Sequence, residues 1–405
     1  MFPTPRGRWW RPAVAGLLLA LVSFVAGARV ERTFPGAVPA LGPAAQGDQF
    51  DQAKVQQAAG IIQASYYDAG VGGRQLSQGS VQGMVGSLGD PFSQYLTAQQ
   101  YQSQQDAANG RHDGVIGVSV AFQDGRPIVT GVLPNSPALR AGVETDDVIL
   151  EIDGRPTGQL TPDQTSALIR GRDGSQVRLL LGRGAGVLEL AVTRERFQSP
   201  TVQSIRLPGD ILYVRVYQFG TTTESEFDGR LEAGLGGARG AVLDLRDNGG
   251  GLVSAAVAMV SRFVAGGEVF EERGRNGRTT RVPAGGNHLA ASLPLVVLVN
   301  QSSASASEFV AGSLQSHGRA ELVGDRTFGK GSVQVAYALR DGSAINLTVQ
   351  HWYLPGGRSI NGTGLTPDVT VALSGPGAMF EVVQPARGYA ADTQLQRALE
   401  QVSGR

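Results

Sequence analysis

Two strand-like segments that each end in a turn of small residues most constrain the fold of this chain. Residues 241–245 (AVLDL) form a largely apolar run, and three glycines at 249–251 separate it from an apolar helical segment. Residues 295–299 (LVVLV) are entirely apolar, and a serine-rich turn leads from them into a second helix. Apolar strands that alternate with helices are typical of a buried parallel sheet. The pattern therefore predicts a mixed α/β domain, which we place at residues 197–374.

Length and composition limit the class of protein. A chain of 405 residues is too long for one ordinary hydrophobic core, so two or three domains are expected. Lys and Arg balance Asp and Glu at 35 each, and this gives no basic excess for nucleic-acid binding. The chain has no cysteine, so thiol catalysis, disulfide bonds and Cys-ligated zinc are excluded.

The first 28 residues have the pattern of a targeting segment. Arg6, Arg8 and Arg11 precede an apolar run from Ala13 to Ala28. As a helix this run would span about 24 Å at about 1.5 Å per residue, which is less than the ~30 Å hydrocarbon core of a bilayer. This length fits a cleaved signal peptide, and a retained signal anchor is the alternative that would attach the chain to a membrane. Both alternatives predict export, to the periplasm or to the outer face of the cytoplasmic membrane.

The rest of the chain divides by texture. A segment with Pro and Gly but no periodicity marks a linker. The next segment has apolar residues at helical spacing. Short strands rich in Val, Ile and Leu, with two helices, then form a small module. The predicted regions are 1–28 (signal peptide or anchor), 29–48 (linker), 49–112 (N-terminal helical region), 113–196 (small module), 197–374 (α/β domain) and 375–405 (tail with a helix).

The serine-rich turn at residues 300–308 (NQSSASASE) is a candidate catalytic segment. Small residues between a strand and a helix let one hydroxyl stand exposed beside a backbone N–H, which is the geometry of a nucleophile elbow. The alternative is helix capping, in which one of these serines caps the helix and Glu308 is its reciprocal partner. The turn by itself leaves both roles open.

Lys330 is a candidate general base. The chain has only two lysines, Lys54 and Lys330, and the second lies between glycines in residues 327–334 (TFGKGSVQ). Arginine cannot lose its proton in a protein, whereas a desolvated lysine can. A lysine base needs a pKa of about 7–8 in place of ~10.4. The surroundings must therefore destabilise the charged form relative to the neutral form by about 4 kcal/mol. An apolar pocket that includes Phe328 would supply part of it. The alternative is an ordinary surface lysine.

The triple-glycine turn at 249–251 is a candidate anion or oxyanion site. Glycines let the backbone approach a ligand closely, and the N–H groups at a helix start favour negative charge. A tight turn between a strand and a helix, without function, is the alternative.

Two rival chemistries fit less well. Residues 324–330 match the glycine and lysine spacing of a phosphate-binding loop, but Gly331 stands where that motif needs Ser or Thr, and a strand follows in place of a helix. A Ser-His-Asp triad would need one of the four histidines. His317 lies twelve residues beyond Ser305 on the same predicted helix, about 18 Å away, and His112, His288 and His351 have no motif around them. Ser-Lys catalysis is therefore favoured.

The three segments together resemble peptidase family S41, the C-terminal-processing or tail-specific peptidases, and the resemblance covers nearly all of the chain after the targeting segment. Three separated motifs occur in the order and spacing of that family. The site residues that the resemblance implies are Ser305 as nucleophile, Lys330 as base, Gln334 as the residue that orients the lysine, and the N–H groups of Gly250 or Gly251 and of Ala306 as the oxyanion hole.

Further segments resemble other parts of the same family. Residues 89–96 (GDPFSQYL) are similar to the segment before an inserted PDZ domain, and residues 342–369 to the end of the protease core. Residues 135–150 are similar to a PDZ signature, but they carry Thr145-Asp146-Asp147 where PDZ domains of the family usually have Pro-Gly-Asp. This departure predicts a looser loop.

The resemblance implies a substrate site on the PDZ domain. Such a domain binds the C-terminal segment of a substrate as an added strand. The substrate carboxylate would lie at the N–H groups of Val115, Ile116, Gly117 and Val118.

The implied fold class is α/β and α+β multidomain, with a mixed α/β serine-protease core, an inserted PDZ domain and an N-terminal helical region. The implied function is a serine endopeptidase that cleaves exported proteins recognised by their C-termini, with no metal or organic cofactor. The alternative is a catalytically inactive PDZ-type binding or scaffold protein on the same fold. The expected partners are protein or peptide substrates, not nucleic acid, and the sequence leaves open whether the chain forms a homo-oligomer.

Overall fold

A computed structural model describes residues 49–404, except for residues 69, 109–111, 124, 276 and 376–377. The predicted targeting segment and linker lie outside the described residues. Within them, every helix is too short or too polar to span a bilayer. The described elements divide between two compact units. The larger unit holds residues 105–331 and 351–404, and the smaller unit holds residues 49–104 and 332–350.

The helices of the described residues are, in chain order, α1 (Gln52–Ser65), α2 (Gly73–Gly86), α3 (Ala98–Ala108), α4 (Pro137–Ala141), α5 (Pro162–Ile169), α6 (Thr223–Leu235), α7 (Val253–Phe263), α8 (Ala306–Ser316) and α9 (Thr393–Ser403). A short 3-10 helix covers Pro385–Arg387.

The strands are β1 (Gln94–Leu96), β2 (His112–Val115), β3 (Val118–Gln123), β4 (Arg126–Val132), β5 (Val148–Ile152), β6 (Arg155–Pro156), β7 (Gln176–Arg183), β8 (Gly186–Thr193), β9 (Glu195–Phe197), β10 (Val202–Leu207), β11 (Ile211–Val216), β12 (Gly240–Asp244), β13 (Glu268–Gly274), β14 (Thr279–Pro283), β15 (Leu295–Val299), β16 (Glu321–Gly324), β17 (Ser332–Ala338), β18 (Ala344–Tyr353) and β19 (Val369–Thr370).

In the smaller unit, a hairpin combines with an N-terminal strand. Strand β17 pairs with β18 across a turn that contains Asp341 and Gly342. Gly342 has a φ of 82°, a left-handed conformation that glycine adopts without strain. Strand β1 pairs antiparallel with β18, with Gln94 opposite Asn346. The hairpin is thereby joined to the segment that contains residues 89–96.

One sheet of the larger unit lies within the predicted small module. Its strands follow the order β3-β4-β5-β7-β8, all neighbours are antiparallel, and β6 pairs with β5. Thr161 and Gln164 form a capping box at the start of α5, with Pro162 at its first position. Strand β3 lies at one edge of this sheet. The core of this module consists mainly of Ile116, Val129, Val132, Val143, Ile149, Ile152, Val177, Leu179, Leu181 and Val192.

The second sheet is the α/β core that the apolar strands predicted. Its order is β10-β11-β12-β15-β16-β19, and all pairs except β10-β11 are parallel. Every residue of β11, β12 and β15 is buried. Helix α9 contacts β12, β15 and β16, while α7 contacts both α6 and α8. The two sheets and the helices confirm the predicted α/β and α+β multidomain class.

Some elements were not predicted from the sequence. Helix α6 contains two glycines and buries only Thr223, Phe227 and Leu231, so its apolar pattern is weak. The second strand of the β13-β14 hairpin exposes Thr279, Thr280 and Arg281, and β1 has only three residues. Such elements form because neighbouring parts of the fold pair with them or cover them, and their own sequence gives little sign of it.

Candidate active site

A strained turn between β15 and α8 holds Ser305. The turn is fixed by Ser303, whose hydroxyl donates to the Leu245 carbonyl at 2.8 Å. Ser305 has φ 53° and ψ −114°, a region that non-glycine residues rarely occupy and that costs about 1–3 kcal/mol. Ser305 as a whole residue is 9% exposed. A strand, a strained serine and a helix in this order are compatible with a nucleophile elbow. Ser305 is also the N-cap residue of α8, the position that the capping alternative predicted.

The triple-glycine turn lies directly against this serine. Strands β12 and β15 are parallel neighbours, so the turns at their carboxyl ends meet at the same edge of the sheet. A Cβ atom on Gly250 would lie 2.8 Å from the Ala304 carbonyl oxygen, 2.9 Å from the Ala306 nitrogen and 3.0 Å from Ser305 Cβ. Gly250 has a φ of 103°. Only glycine therefore fits this position without displacing the nucleophile turn.

Asn248 connects the two turns. Its carbonyl accepts hydrogen bonds from the Ala304 N–H at 3.1 Å and the Ser307 hydroxyl at 2.8 Å. Its side-chain oxygen accepts the N–H of Gly250 at 2.9 Å, and its side-chain nitrogen donates to the Val216 carbonyl. The Gly250 N–H is thus already used within the turn. Asn248 is fully buried.

Lys330 lies in a buried loop before β17. The residue is 2% exposed, and the preceding Phe328 donates its N–H to the Ser303 carbonyl at 3.0 Å. A Cβ on Gly329 would lie 2.7 Å from the Gly364 nitrogen, and one on Gly331 would lie 2.8 Å from Asn361 Cβ. The flanking glycines are therefore required by close packing of the loop.

Glu308 joins the lysine loop to the serine turn. Its Oε2 atom accepts the backbone N–H of Ser305 at 2.9 Å and that of Lys330 at 2.8 Å. Its Oε1 atom accepts the Gly329 N–H at 2.7 Å and the Thr327 hydroxyl at 2.5 Å. The backbone nitrogens of Ser305 and Lys330 are consequently no farther apart than the sum of the two bonds to Oε2.

Burial and hydrogen bonding act in opposite directions on this carboxyl. Glu308 is fully buried, and burial raises its pKa above the usual value. The hydrogen bonds from Thr327, Lys330, Gly329 and Ser305 favour the charged form and oppose that rise. Both effects make the carboxyl sensitive to any change in its partners.

Gln334 lies on β17 in the smaller unit. It is 1% exposed, and its side-chain nitrogen donates to the Ser332 hydroxyl at 2.6 Å and to the Thr348 hydroxyl at 3.0 Å. Ser305 and Lys330 belong to the larger unit. The side-chain amide of Gln334 is thus held in one orientation by two hydroxyl groups of its own unit.

A buried charge network anchors the start of the glycine turn. Arg246 donates to Asp244, at the end of β12, and to Asp392, the N-cap residue of α9. Although burial alone would raise it, Arg215 and Arg246 lower the pKa of Asp244 to about 2. Asp244, Arg246 and Asp392 are all 0% exposed. The last helix of the chain is thereby tied to the turn that lies against Ser305.

Two of the histidines lie close to backbone carbonyl groups. His288 Nδ1 lies 2.9 Å from the Ser261 carbonyl, and His317 Nε2 lies 2.8 Å from the Glu268 carbonyl. His351 is exposed. The side chain of His112 is outside the described set. No cluster of three or more His, Asp or Glu side chains within the described residues is arranged to hold a metal ion.

The predicted substrate loop of the small module connects β2 and β3. The carbonyl of Ile116 accepts the Ala138 N–H, and the carbonyl of Gly117 accepts the Leu133 N–H, both at 2.9 Å. Gly117 has a φ of 80°, and a Cβ there would lie 2.3 Å from Ser136 Cβ. The loop is therefore pinned by its carbonyl groups, and Val118 starts the edge strand β3.

The predicted loosening of residues 145–147 is wrong. Arg387 from the C-terminal tail donates to the Thr145 carbonyl and to the Asp146 carboxylate, both at 2.7 Å. Arg183 pairs with Asp147 at 2.7 Å. Asp146 adopts the left-handed conformation, with φ 76°. Two arginines thus hold a loop that lacks the usual turn glycine.

Two contributors were missed or undervalued from the sequence. Glu308 was identified only as a capping partner, although a buried acid within an apolar helix is itself an indication of a specific role. Asn248 precedes the glycines, and nothing in its sequence context indicated a role in holding the two turns together. Its contacts depend on β11 and on the serine turn, which are distant in sequence.

Three family models match the chain. Residues 210–371 match "Peptidase family S41", residues 128–183 match "PDZ domain" and residues 38–100 match "Activating protease CtpB N-terminal domain".

Two curated relatives and one solved structure are similar to this chain over most of its length. "Carboxy-terminal processing protease CtpA" of Bacillus subtilis (strain 168) is 33% identical over 82% of this chain and 71% of its own. "Probable CtpA-like serine protease" of Staphylococcus aureus (strain bovine RF122 / ET3-1) is 32% identical over 80% of this chain, and the chain spans 65% of that relative's length. The solved "Photosystem II D1 C-terminal processing protease" is 27% identical with a TM-score of 0.55, covering 90% of this chain and 95% of its own.

Proposed function

Because the chain belongs to peptidase family S41, together with carboxy-terminal processing proteases, we propose that it is a serine endopeptidase with Ser305 as nucleophile and Lys330 as general base. The observation that carries the proposal is the single oxygen of Glu308 that accepts the N–H groups of both residues. This bond pair supports a shared catalytic site made from two loops of the larger unit.

In the proposed acylation step, the neutral amine of Lys330 takes the proton of the Ser305 hydroxyl. Burial of Lys330 at 2% exposure favours the neutral amine over the ammonium form. The Ser305 oxygen attacks the peptide carbonyl carbon, and the tetrahedral intermediate collapses as the leaving amine receives the proton from Lys330. Water then hydrolyses the acyl-enzyme, with the same lysine as base.

We assign the oxyanion hole to the N–H groups of Gly251 and Ala306. Ala306 is the first residue of α8, where N–H groups lack partners within the helix. Gly250 donates its own N–H to Asn248, which favours Gly251 as the second donor. Loss of one such donor typically costs about 3–4 kcal/mol of transition-state stabilisation.

We assign Gln334 to orienting Lys330. Ser332 and Gln334 lie two residues apart on β17 and therefore share one face of the strand, and Lys330 lies two residues before the strand begins. Both hydrogens of the Gln334 amide nitrogen are donated to hydroxyl groups. The amide oxygen is therefore the atom with which Gln334 would accept a hydrogen bond from the lysine amine.

We propose that the PDZ domain recognises the C-terminal segment of substrates. The edge position of β3 supports addition of a peptide strand. The carboxylate would meet N–H groups of Val115, Ile116, Gly117 and Val118, on a loop whose carbonyl groups point into the domain's own hydrogen bonds. Exported proteins are the proposed substrates, since residues 1–28 have the composition of a targeting segment.

A PDZ-type scaffold without catalysis is the second candidate. It would also need the PDZ domain, but it would need neither the strained Ser305 nor a buried Lys330. These two features therefore favour the peptidase.

The test is cleavage of a disordered protein, with cuts mapped by mass spectrometry. We expect the wild-type protein to cleave and the Ser305→Ala, Lys330→Ala and Lys330→Arg variants to be inactive while they still bind a C-terminal peptide. Lys54→Arg is the matched control, because Lys54 is the other lysine and lies exposed on α1; it should retain full activity. Cleavage that persists in Lys330→Ala would refute the base assignment, and absence of cleavage in the wild type would support the scaffold.

A further inference from the structure

We propose that Ser93, held by Asp90, is a positioning residue for catalysis that acts through Thr348 on the side-chain amide of Gln334. The inference rests on the proposed function, in which Gln334 orients the lysine base. It assigns a role to residues 89–96, a segment far from the catalytic motifs in sequence.

The first hydrogen bonds in the series that leads from Asp90 to Gln334 lie within the turn of residues 90–93 (DPFS). Asp90 Oδ2 accepts the hydroxyl of Ser93 at 2.6 Å, and Asp90 Oδ1 accepts the N–H of Phe92 at 3.1 Å. Because the hydroxyl proton of Ser93 is directed to a carboxylate, the lone pairs of its oxygen point elsewhere. Ser93 is thus prepared to accept a hydrogen bond.

The second contact joins this turn to the hairpin. The N–H of Thr348 donates to Ser93 Oγ at 3.0 Å. The ladder between β1 and β18 pairs Gln94 with Asn346, and Thr348 lies two residues further along β18. The Ser93 side chain therefore extends the pairing of β18 beyond the last backbone pair.

The third contact reaches Gln334. The hydroxyl oxygen of Thr348 accepts from the Gln334 side-chain nitrogen at 3.0 Å, and the Ser332 hydroxyl accepts from the same nitrogen at 2.6 Å. Ser332 and Gln334 are 3% and 1% exposed. The Thr348 hydroxyl, whose backbone N–H Ser93 binds, and the Ser332 hydroxyl together set where the amide of Gln334 points.

Loss of the Ser93 hydroxyl would remove the hydrogen bond that holds Thr348 in place, and Ser93 is not a group that touches substrate. A small displacement of a catalytic group from its productive position lowers kcat, whereas substrate affinity depends on other contacts. A positioning role therefore predicts a loss in kcat with an unchanged KM.

The experiment compares Ser93→Ala, Ser93→Thr, Thr348→Val and the control Ser80→Ala in the full-length protein. Thr348→Val keeps the backbone N–H and side-chain shape but removes the hydroxyl next to Gln334. Ser80 lies on α2 of the same unit, and its hydroxyl bonds only within that helix, to the Leu76 carbonyl, at 2.8 Å. The readouts are kcat and KM for peptide cleavage, and the second-order rate constant for labelling of Ser305 by excess fluorophosphonate.

We expect Ser93→Ala and Thr348→Val to lower kcat and the labelling constant by about ten- to a hundredfold, with KM unchanged. Ser93→Thr retains the hydroxyl and should stay close to the wild type, as should Ser80→Ala. In a Gln334→Ala background, Ser93→Ala should cause no further loss, because the effect is transmitted through Gln334.

Two results would overturn the inference: wild-type kinetics in Ser93→Ala, or an equal loss when Gln334 is already absent. Failure of the proposed function gives a different result, since wild-type Ser305 would then be unlabelled or would label equally fast in Lys330→Ala. If Ser93→Ala does not fold, Ser93→Cys replaces it, because a thiol keeps the size of the side chain but is only a weak acceptor for the Thr348 N–H. An unchanged kcat in Ser93→Cys would overturn the inference.

Discussion

The backbone N–H groups of Ser305 and Lys330 donate to the same atom, Oε2 of Glu308, at 2.9 and 2.8 Å. The two residues lie on different loops, one after β15 and one before β17. A fully buried carboxylate therefore sets the separation of the proposed nucleophile and base. It does so through their backbone N–H groups.

The first prediction concerns replacement of this carboxylate in Glu308→Gln. An amide offers one acceptor oxygen, and its NH2 group would face backbone N–H donors, so at least one buried donor loses its acceptor. We expect a loss of about 1–3 kcal/mol in unfolding free energy and a strong fall in kcat/KM. Denaturant unfolding and cleavage kinetics measure both. Glu232→Gln, at an exposed site on α6, is the control, and the clamp is refuted if both variants behave alike.

The second prediction concerns Gly250→Ala. The added methyl would lie within 3.0 Å of three atoms of the serine turn, at a φ of 103° that alanine disfavours. We expect kcat/KM to fall by about a hundredfold or more, as when an oxyanion-hole donor is lost. Gly229→Ala on α6 is the control, because a Cβ there meets no atom within 4 Å. That variant should keep its activity and gain about 0.5–1 kcal/mol in unfolding free energy. Full activity of Gly250→Ala would contradict the close packing of the two turns.

The third prediction concerns pH and Glu381. This residue is 4% exposed, its Oε2 has no hydrogen-bond partner among the described residues, and burial raises its pKa from 4.5 to about 7. Arg215 opposes the rise and Asp247 adds to it; Asp244 raises and Arg246 lowers the pKa further. The folded protein therefore keeps a proton that the unfolded chain releases near pH 4.5. The stability contributed by the protonated group is complete below pH 4.5 and is lost as the pH rises through 7.

Glu381→Gln should remove this dependence. At pH 8 we expect the variant to be more stable than the wild type by up to about 3 kcal/mol, at about 1.36 kcal/mol per pKa unit, and near pH 4.5 we expect the two to be similar. Thermal unfolding from pH 4.5 to 8 measures the difference. Glu189→Gln on the exposed face of β8 is the control. Parallel pH profiles of the Glu381→Gln variant and the wild type would show that this carboxyl is ionised in the folded state throughout the range.

Much of the architecture could be predicted from local sequence. The apolar runs of β12 and β15 predicted buried parallel strands because such strands are covered on both faces. Helix α6 could not be predicted, since only three of its residues are buried and its stability comes from contacts with α7 and β10. The loop at Asp146 was predicted to be loose because it lacks the usual Pro-Gly. The prediction failed because the arginine that binds the loop, Arg387, lies 241 residues away and belongs to no local pattern.

The sequence by itself identified the residues that we propose for catalysis. Only a hydroxyl in a strand-to-helix turn, a deprotonatable lysine between glycines and a triple-glycine turn fit the proposed reaction, and residue type and spacing express all three. The tertiary structure decided which groups hold them together: Glu308 between two loops, Asn248 between two turns, and Ser93 and Thr348 behind Gln334. These contacts join residues far apart in the chain. A buried polar atom must find its partner wherever the fold brings one, and no local pattern specifies that partner.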